Sequence, residues 1–195
     1  MNIEILLYEG FDELDAIGPY EVFQNAAKDT DLSTSLVTRE PTERVTASHG
    51  LRVESDSVLG EPDLLVVPGG GWTARDERGT WGEYERNVIP PLIAEQHSHG
   101  TTLASVCTGA MLLEKAGVLD GRPAVTHAGA LDDLREMAAE VVEARVVDDG
   151  DILTAGGVTS GLDLALWIVE REIGEEVADR VATTLEYERG EVYKT

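Results

Sequence analysis

The chain's single cysteine lies in Ser105-Val106-Cys107-Thr108-Gly109-Ala110, where an apolar run gives way to a threonine and a glycine. Thr101 to Val106 predicts a buried strand, and Ala110, Leu113 and Ala116 or Gly117 share one helical face, so Cys107 falls on a strand-to-helix turn. Such a nucleophile elbow lifts one side chain clear of the sheet, and Gly109 lets the backbone pass. The thiol would face a helix N-terminus, whose unpaired N–H groups favour thiolate, so its pKa is expected to fall below about 8.5. One cysteine can form neither an internal disulfide nor a multi-cysteine zinc cage, which leaves core packing or chemistry. The thiolate of an elbow is a nucleophile; a buried, inert thiol is the plainer alternative.

Three other segments supply groups that such a nucleophile would use. Asp15 sits among apolar residues in Leu14-Asp15-Ala16-Ile17-Gly18-Pro19, and burial there would raise its pKa and make it a proton donor near neutrality. Helix capping is the competing role for Asp15, with Asp12 a second candidate for it. Gly69-Gly70-Gly71 follows the apolar run Leu64 to Val67, and the amides of Gly70 and Gly71 are candidate oxyanion or substrate donors. The glycines lack the spacing and lysine of a phosphate loop. His127 follows a short strand and is a candidate for orienting a ligand, with a packing role as the alternative. His49, His97 and His99 give little basis for a metal site, and Trp72, Trp81 and Trp167 read as packing.

The elements that must position these groups alternate strand and helix. Strands are predicted at Ile3 to Tyr8, Leu32 to Thr38, Leu64 to Pro68, Thr101 to Val106, Arg122 to Thr126, Arg145 to Val147 and Ile152 to Ala155, with a small hairpin over Thr46 to Ser55. Helices are predicted from Gly18-Pro19 with proline in the first turn, from Val88 with Pro90-Pro91, after Cys107, through Leu131, Leu134 and Ala138, over Leu162 to Val169, and through Val177, Val181 and Leu185. This order predicts an α/β fold, a three-layer α/β/α sandwich with a flavodoxin-like, mostly parallel sheet. Ligands then bind beyond the carboxyl ends of the strands, and the loops carrying Asp15, the glycines and Cys107 all open on that rim. The 195 residues fit one domain spanning 1–195.

With these residues in place, the sequence resembles the ThiJ/PfpI superfamily, also called the DJ-one or class I glutamine amidotransferase-like group. The motifs that carry the resemblance are Gly10-Phe11-Asp12-Glu13-Leu14-Asp15 through Gly18-Pro19, Val67-Pro68-Gly69-Gly70, Ser105 to Ala110, Thr126-His127, and Thr154-Ala155-Gly156-Gly157 through Gly161-Leu162-Asp163. Leu-Asp-x-x-Gly-Pro joined to Ser-Val-Cys-Thr-Gly is most similar to the isonitrile hydratase branch. The resemblance implies hydration of an isonitrile to an N-substituted formamide by a homodimer without a cofactor. It implies attack by Cys107 to give a thioimidate, proton transfer by Asp15, positioning by Thr108 and substrate holding by Gly70 with neighbouring amides. Ala128 stands where such members often carry tryptophan, which implies a reshaped pocket. Thr108 replaces the histidine of peptidase-like members and Asp15 the glutamate of glyoxalase or deglycase-type members, which ranks those activities lower. A ligand or oxidation sensor that keeps the cysteine without turnover is the reading from another class.

Charge bounds the partners. Against 38 Asp and Glu stand 15 Lys and Arg, a net charge of −23, with Lys28, Lys115 and Lys194 the only lysines. Binding to nucleic acid or an anionic membrane is disfavoured, and a DNA-binding role with it. No segment reaches the roughly 18 apolar residues of a membrane helix, and Met1 to Tyr8 lacks a basic signal region, so a cytoplasmic protein acting on a small molecule is expected. The acid-rich, lysine-poor composition suits a high-salt cytoplasm, where counterions screen carboxylate repulsion. A halophilic protein should melt at a higher temperature in molar KCl than in dilute buffer; differential scanning calorimetry showing no rise would count against that origin.

Overall fold

The computed structural model describes residues Met1–Thr195. Strand β1 (Asn2–Leu7) leads into helix α1 (Glu13–Ala26) and strand β2 (Ser33–Thr38). A hairpin, β3 (Arg44–Thr46) and β4 (Arg52–Glu54), and the short β5 (Ser57–Val58) precede β6 (Leu64–Val67). Helices α2 (Thr80–Arg86) and α3 (Ile89–Ser98) lead to β7 (Thr102–Val106) and α4 (Gly109–Lys115). Then come β8 (Pro123–Ala124), α5 (Leu131–Arg135), β9 (Glu140–Val141), β10 (Val146–Asp148), β11 (Ile152–Ala155), α6 (Ser160–Glu172), α7 (Glu175–Thr184) and β12 (Val192–Lys194).

Eight strands form the main sheet in the order β12-β10-β11-β7-β6-β1-β2-β5. Only β10 against β11 is antiparallel, because a tight turn at Asp149 to Asp151 joins them. Every residue of β6 and β11 is buried, as expected of parallel strands covered on both faces. Helices α1, α6 and α7 pack together as one layer, and α2, α3 and α4 as the other. The fold is therefore the expected α/β sandwich. The chain reverses direction across the sheet between β1 and β6, the place where a doubly wound sheet opens a crevice. Pairing of Ile5 with Val66, Val67 with Ser105, and Ala155 with Val106 levels the strand ends. The loops after β1, β6, β7 and β11 consequently share one rim.

Several local expectations change. Helix α1 begins at Glu13, with Asp12 as its cap through Oδ1 and the Leu14 amide at 3.2 Å, and Pro19 lies inside it. Proline there offers no N–H to the Asp15 carbonyl, and the helix keeps it because Pro19 packs 3.4 Å from the position a Cβ on Gly161 would take. The Arg122 to Thr126 strand is reduced to β8, which pairs with β9 outside the main sheet. Helix α5 stops at Arg135 rather than reaching Ala138. Helix α2 and strand β12 were not anticipated: both are short, and α2 is too polar to show a helical period. No helix is long and apolar enough to cross a membrane.

Leu103 is fully buried on β7 between β6 and β11. Leu103→Ala should lower the urea midpoint by the equivalent of about 2–5 kcal/mol, whereas Tyr193→Ala on the exposed edge strand should stay within about 0.5 kcal/mol.

Candidate active site

Cys107 adopts φ +58°, a left-handed conformation that costs a non-glycine residue of order 1–3 kcal/mol and persists only when neighbours over-determine it. They do. Its N–H is shared by the Ala155 and Gly156 carbonyls at 3.0 Å each, and its carbonyl accepts the buried Thr126 hydroxyl at 2.9 Å. The glycines explain how the turn fits beneath the β6 loop. A Cβ on Gly69 would lie 2.5 Å from the Thr108 nitrogen, and one on Gly109 would lie 2.1 Å from the Val67 carbonyl oxygen. Two backbones cross here at a distance that admits no side chain.

Asp15 is completely buried in the first turn of α1. Its Oδ2 accepts the Gly69 N–H at 3.0 Å. Its Oδ1 is buried with no hydrogen-bond partner, and the Cys107 side chain is near enough to act on the carboxyl group as a hydrogen-bonding neighbour. Burial, reinforced by the Asp12 carboxylate, pushes Asp15 up to about 8, while the Gly69 amide and Cys107 act in the opposite sense. At pH 7 the side chain is therefore a carboxylic acid. Oδ2 already accepts the Gly69 N–H, so the proton belongs on Oδ1.

The thiol departs from expectation. Burial, then the nearby Asp15 charge, pushes the Cys107 pKa up rather than down, and the backbone amides of Thr108 and Val158 pull it the other way. Helix α4 has only seven residues, and the sulfur lies under cover with 6% of the residue exposed. Desolvation outweighs the helix end. At neutral pH the pair holds a thiol beside a carboxylic acid.

One of the two predicted glycine donors is already engaged. The Gly70 amide donates to Thr108 Oγ1 at 3.0 Å, so it is committed to the elbow rather than free for a ligand. Gly71, at φ +71°, turns the loop toward Trp72, and its carbonyl accepts the Asp76 N–H. The amides that face the sulfur are those of Thr108 and Val158. His127 accepts the Gly129 N–H through Nδ1 at 3.0 Å, which places a neutral ring's proton on Nε2. Its ring covers Gly157, where a Cβ would be 2.6 Å from Cδ2, and it lines a groove of about 460 Å³ with Arg145 and Ser160. His127 is thus one residue removed from the Val158 amide. Val158, Tyr8 and Thr80 escaped the sequence reading of the site, and Thr126 entered it only within the Thr126-His127 motif; only the glycine pair before Val158 signalled a turn there. Asp12, Glu13 and His49 bring ligand-type atoms within 4.8 Å of one another at the surface. Those groups are engaged in the α1 cap, the His49–Glu13 pair and bonds from the His49 and Leu51 amides to Glu13.

A family model described as the DJ-1/PfpI family matches residues 1–171. The chain belongs to the DJ-1/PfpI family. It is 34% identical over 190 residues to an isonitrile hydratase of Pseudomonas putida, covering 96% of this chain and 78% of that protein. A deglycase of Pyrococcus abyssi is 30% identical over 156 residues, covering 77% of this chain and 87% of the relative. Among solved structures, a ThiJ/PfpI family protein from Pseudomonas syringae superposes with a TM-score of 0.83 at 26% identity, over 97% of this chain and 76% of that one. Family membership therefore agrees with the architecture, while the named relatives differ in the reaction they carry out.

The raised Asp15 pKa has a consequence for stability. The folded state holds the Asp15 proton up to about pH 8, whereas the unfolded chain releases it near 3.9. Its contribution is whole below pH ~4 and is lost as pH rises through about 8. Asp15→Asn carries no buried charge, so its melting temperature should gain on wild type progressively from pH 5 to pH 9. A difference that stays flat over that range would contradict the assignment.

Proposed function

We propose that this protein hydrates a small isonitrile to an N-substituted formamide, with Cys107 as nucleophile, Asp15 as the proton carrier and Thr108 as the residue that positions the elbow. The observation that carries the reading is the buried Asp15 carboxyl, its Oδ1 unpartnered and its hold on a proton strengthened by burial, beside the thiol of a residue with a strained backbone. An isonitrile carbon needs both a proton and a nucleophile, and this pair supplies them together. Asp15 gives its proton to the terminal carbon, the sulfur bonds to that carbon, and the thiol proton passes to the Asp15 carboxylate. The product is a thioimidate, R–N=CH–S–Cys107.

The second half consumes water. Asp15 protonates the thioimidate nitrogen, its carboxylate then takes a proton from water, and the hydroxyl adds to the carbon. Collapse of the adduct forms the formamide C=O and breaks the C–S bond. The hydroxyl proton returns to sulfur by way of Asp15, so atoms and charge balance. The Thr108 and Val158 amides stabilise the sulfur as it leaves with its electron pair. Gly70 and Gly71 shape the loop above the elbow, and His127 borders the approach beside Gly157. A homodimer acting on a small molecule without a cofactor, in the cytoplasm, completes the proposal by analogy with the family resemblance.

A second reading has its own support in the 30% identity to a deglycase. A thiol beside a carboxylic acid can add to an aldehyde as well as to an isonitrile, so reactive carbonyls form the competing substrate class. Wild type, Cys107→Ala and Asp15→Asn should be offered isonitriles, methylglyoxal and peptides in high salt. Isonitrile turnover is expected to vanish in Cys107→Ala, to fall about 10²–10⁴-fold in Asp15→Asn, and in wild type to decline above about pH 8 as Asp15 loses its proton. Turnover of methylglyoxal without isonitrile turnover would reverse the order of the two readings, and cysteine modification with no product from any substrate would favour the sensor.

A further inference from the structure

Beside the Cys107–Asp15 pair runs a chain of buried polar groups whose direction follows from counting protons. Tyr8 Oη has a single proton, which it donates to the Pro68 carbonyl. Thr80 Oγ1 lies 3.1 Å from Tyr8 Oη, so in that contact only Thr80 can be the donor. Thr108 Oγ1 lies 3.2 Å from Thr80 Oγ1. With the Thr80 proton already used, Thr108 must be the donor there. Gly70 then donates its amide proton to Thr108 Oγ1 at 3.0 Å. No link has a free choice. The chain runs from the Gly70 N–H through Thr108, Thr80 and Tyr8 to the Pro68 carbonyl.

Both ends of this chain lie in the loop after β6, on either side of Gly69, and its second member, Thr108, is the residue after Cys107. It therefore staples the β6 loop to the elbow. Burial keeps the Tyr8 phenol protonated far into the alkaline range, so the terminal donor is permanent. Thr80 and Thr108 are buried, and solvent offers no competing partner. We propose that Tyr8 and Thr80 are positioning residues for the reaction at Cys107. They hold the Thr108 hydroxyl proton turned toward Thr80, so that Thr108 has no proton left to donate on the side of the reacting thiol and proton delivery to the substrate falls to Asp15. By fixing the Thr108 side chain they also fix the Thr108 amide that faces the sulfur.

This role rests on the reading of Cys107 as the nucleophile, so the test carries one readout that needs no substrate. Tyr8→Phe, Thr80→Val and Thr80→Ser are compared with wild type by steady-state kinetics on an isonitrile, by the rate of Cys107 alkylation with iodoacetamide across pH 6–10, and by thermal melting. Tyr8→Phe and Thr80→Val, each lacking two hydrogen bonds of the chain, should lower kcat about three- to tenfold with KM little changed and alter the alkylation rate by a similar factor. Thr80→Ser keeps the hydroxyl and should recover most of both. Should Thr80→Val fail to fold, Thr80→Ala and Tyr8→Phe interrupt the same chain. Folded variants with wild-type kcat and wild-type alkylation, or Thr80→Ser impaired as deeply as Thr80→Val, would overturn the proposal. If wild type turns over no isonitrile, the proposed reaction fails separately, and unchanged alkylation in Tyr8→Phe and Thr80→Val alone would still overturn the positioning role.

Discussion

The site depends on two backbones passing closer than side chains permit. The β6 loop and the β7 elbow meet where Gly69 faces the Thr108 nitrogen and Gly109 faces the Val67 carbonyl, and a Cβ at either glycine would overlap the other strand's turn. That approach is available because β6 and β7 are parallel neighbours in level register, so their carboxyl ends arrive together. Everything polar in the site uses it. The Gly69 amide reaches Asp15, the Gly70 amide reaches Thr108, and the Cys107 backbone is left to seek its partners on the other side, from β11 and Thr126. A single steric condition thus orients the acid and presents the thiol.

The second support comes from the helices beside it. Helix α1 carries Asp15 in its first turn and packs on α6 through Gly18 against Leu162 and Pro19 against Gly161. Helix α6 begins just after Gly157-Val158, whose amide faces the sulfur. Small residues at the crossing let the two helices close together, so the acid on one and the amide before the other converge on the same atom. Pro19 is tolerated in mid-helix because its ring fills that crossing. The hydrogen bond it withholds is the one the Asp15 carbonyl would accept, in the helix turn that carries the buried acid.

What the sequence made legible was whatever depends on local order. Apolar runs ending in Gly69-Gly70 and in Cys107-Thr108-Gly109 mark strands that turn at one rim, and strand–helix alternation puts their loops side by side. Asp15 was legible as an acid embedded in apolar residues, and its capping alternative fell to Asp12, three residues earlier. The missing parts are those set by contacts across the fold. Tyr8, Thr80 and Thr108 are separated by 72 and 28 residues along the chain, so no spacing rule links them. Val158 acts through its backbone, to which residue type gives no clue. The sign of the thiol shift failed for a related reason: a helix N-terminus can be inferred from sequence, whereas how much of the sulfur is covered cannot.

Burial also accounts for how this site can work inside a molecule with a net charge of −23. A buried unpaired ion is expensive, and no basic side chain acts on Cys107 or Asp15 to offset one. The pair escapes that cost by resting neutral, thiol beside carboxylic acid. Isonitrile, water, thioimidate and formamide are neutral as well, so the proposed reaction enters and leaves each stage without net charge, and the protons that move travel between groups in contact. Charge separation is confined to the transfers themselves, where the Thr108 and Val158 amides meet the sulfur. On this view the raised pKa values suit the chemistry: a freely ionised thiolate would need a cation that this acid-rich chain does not bring to the site.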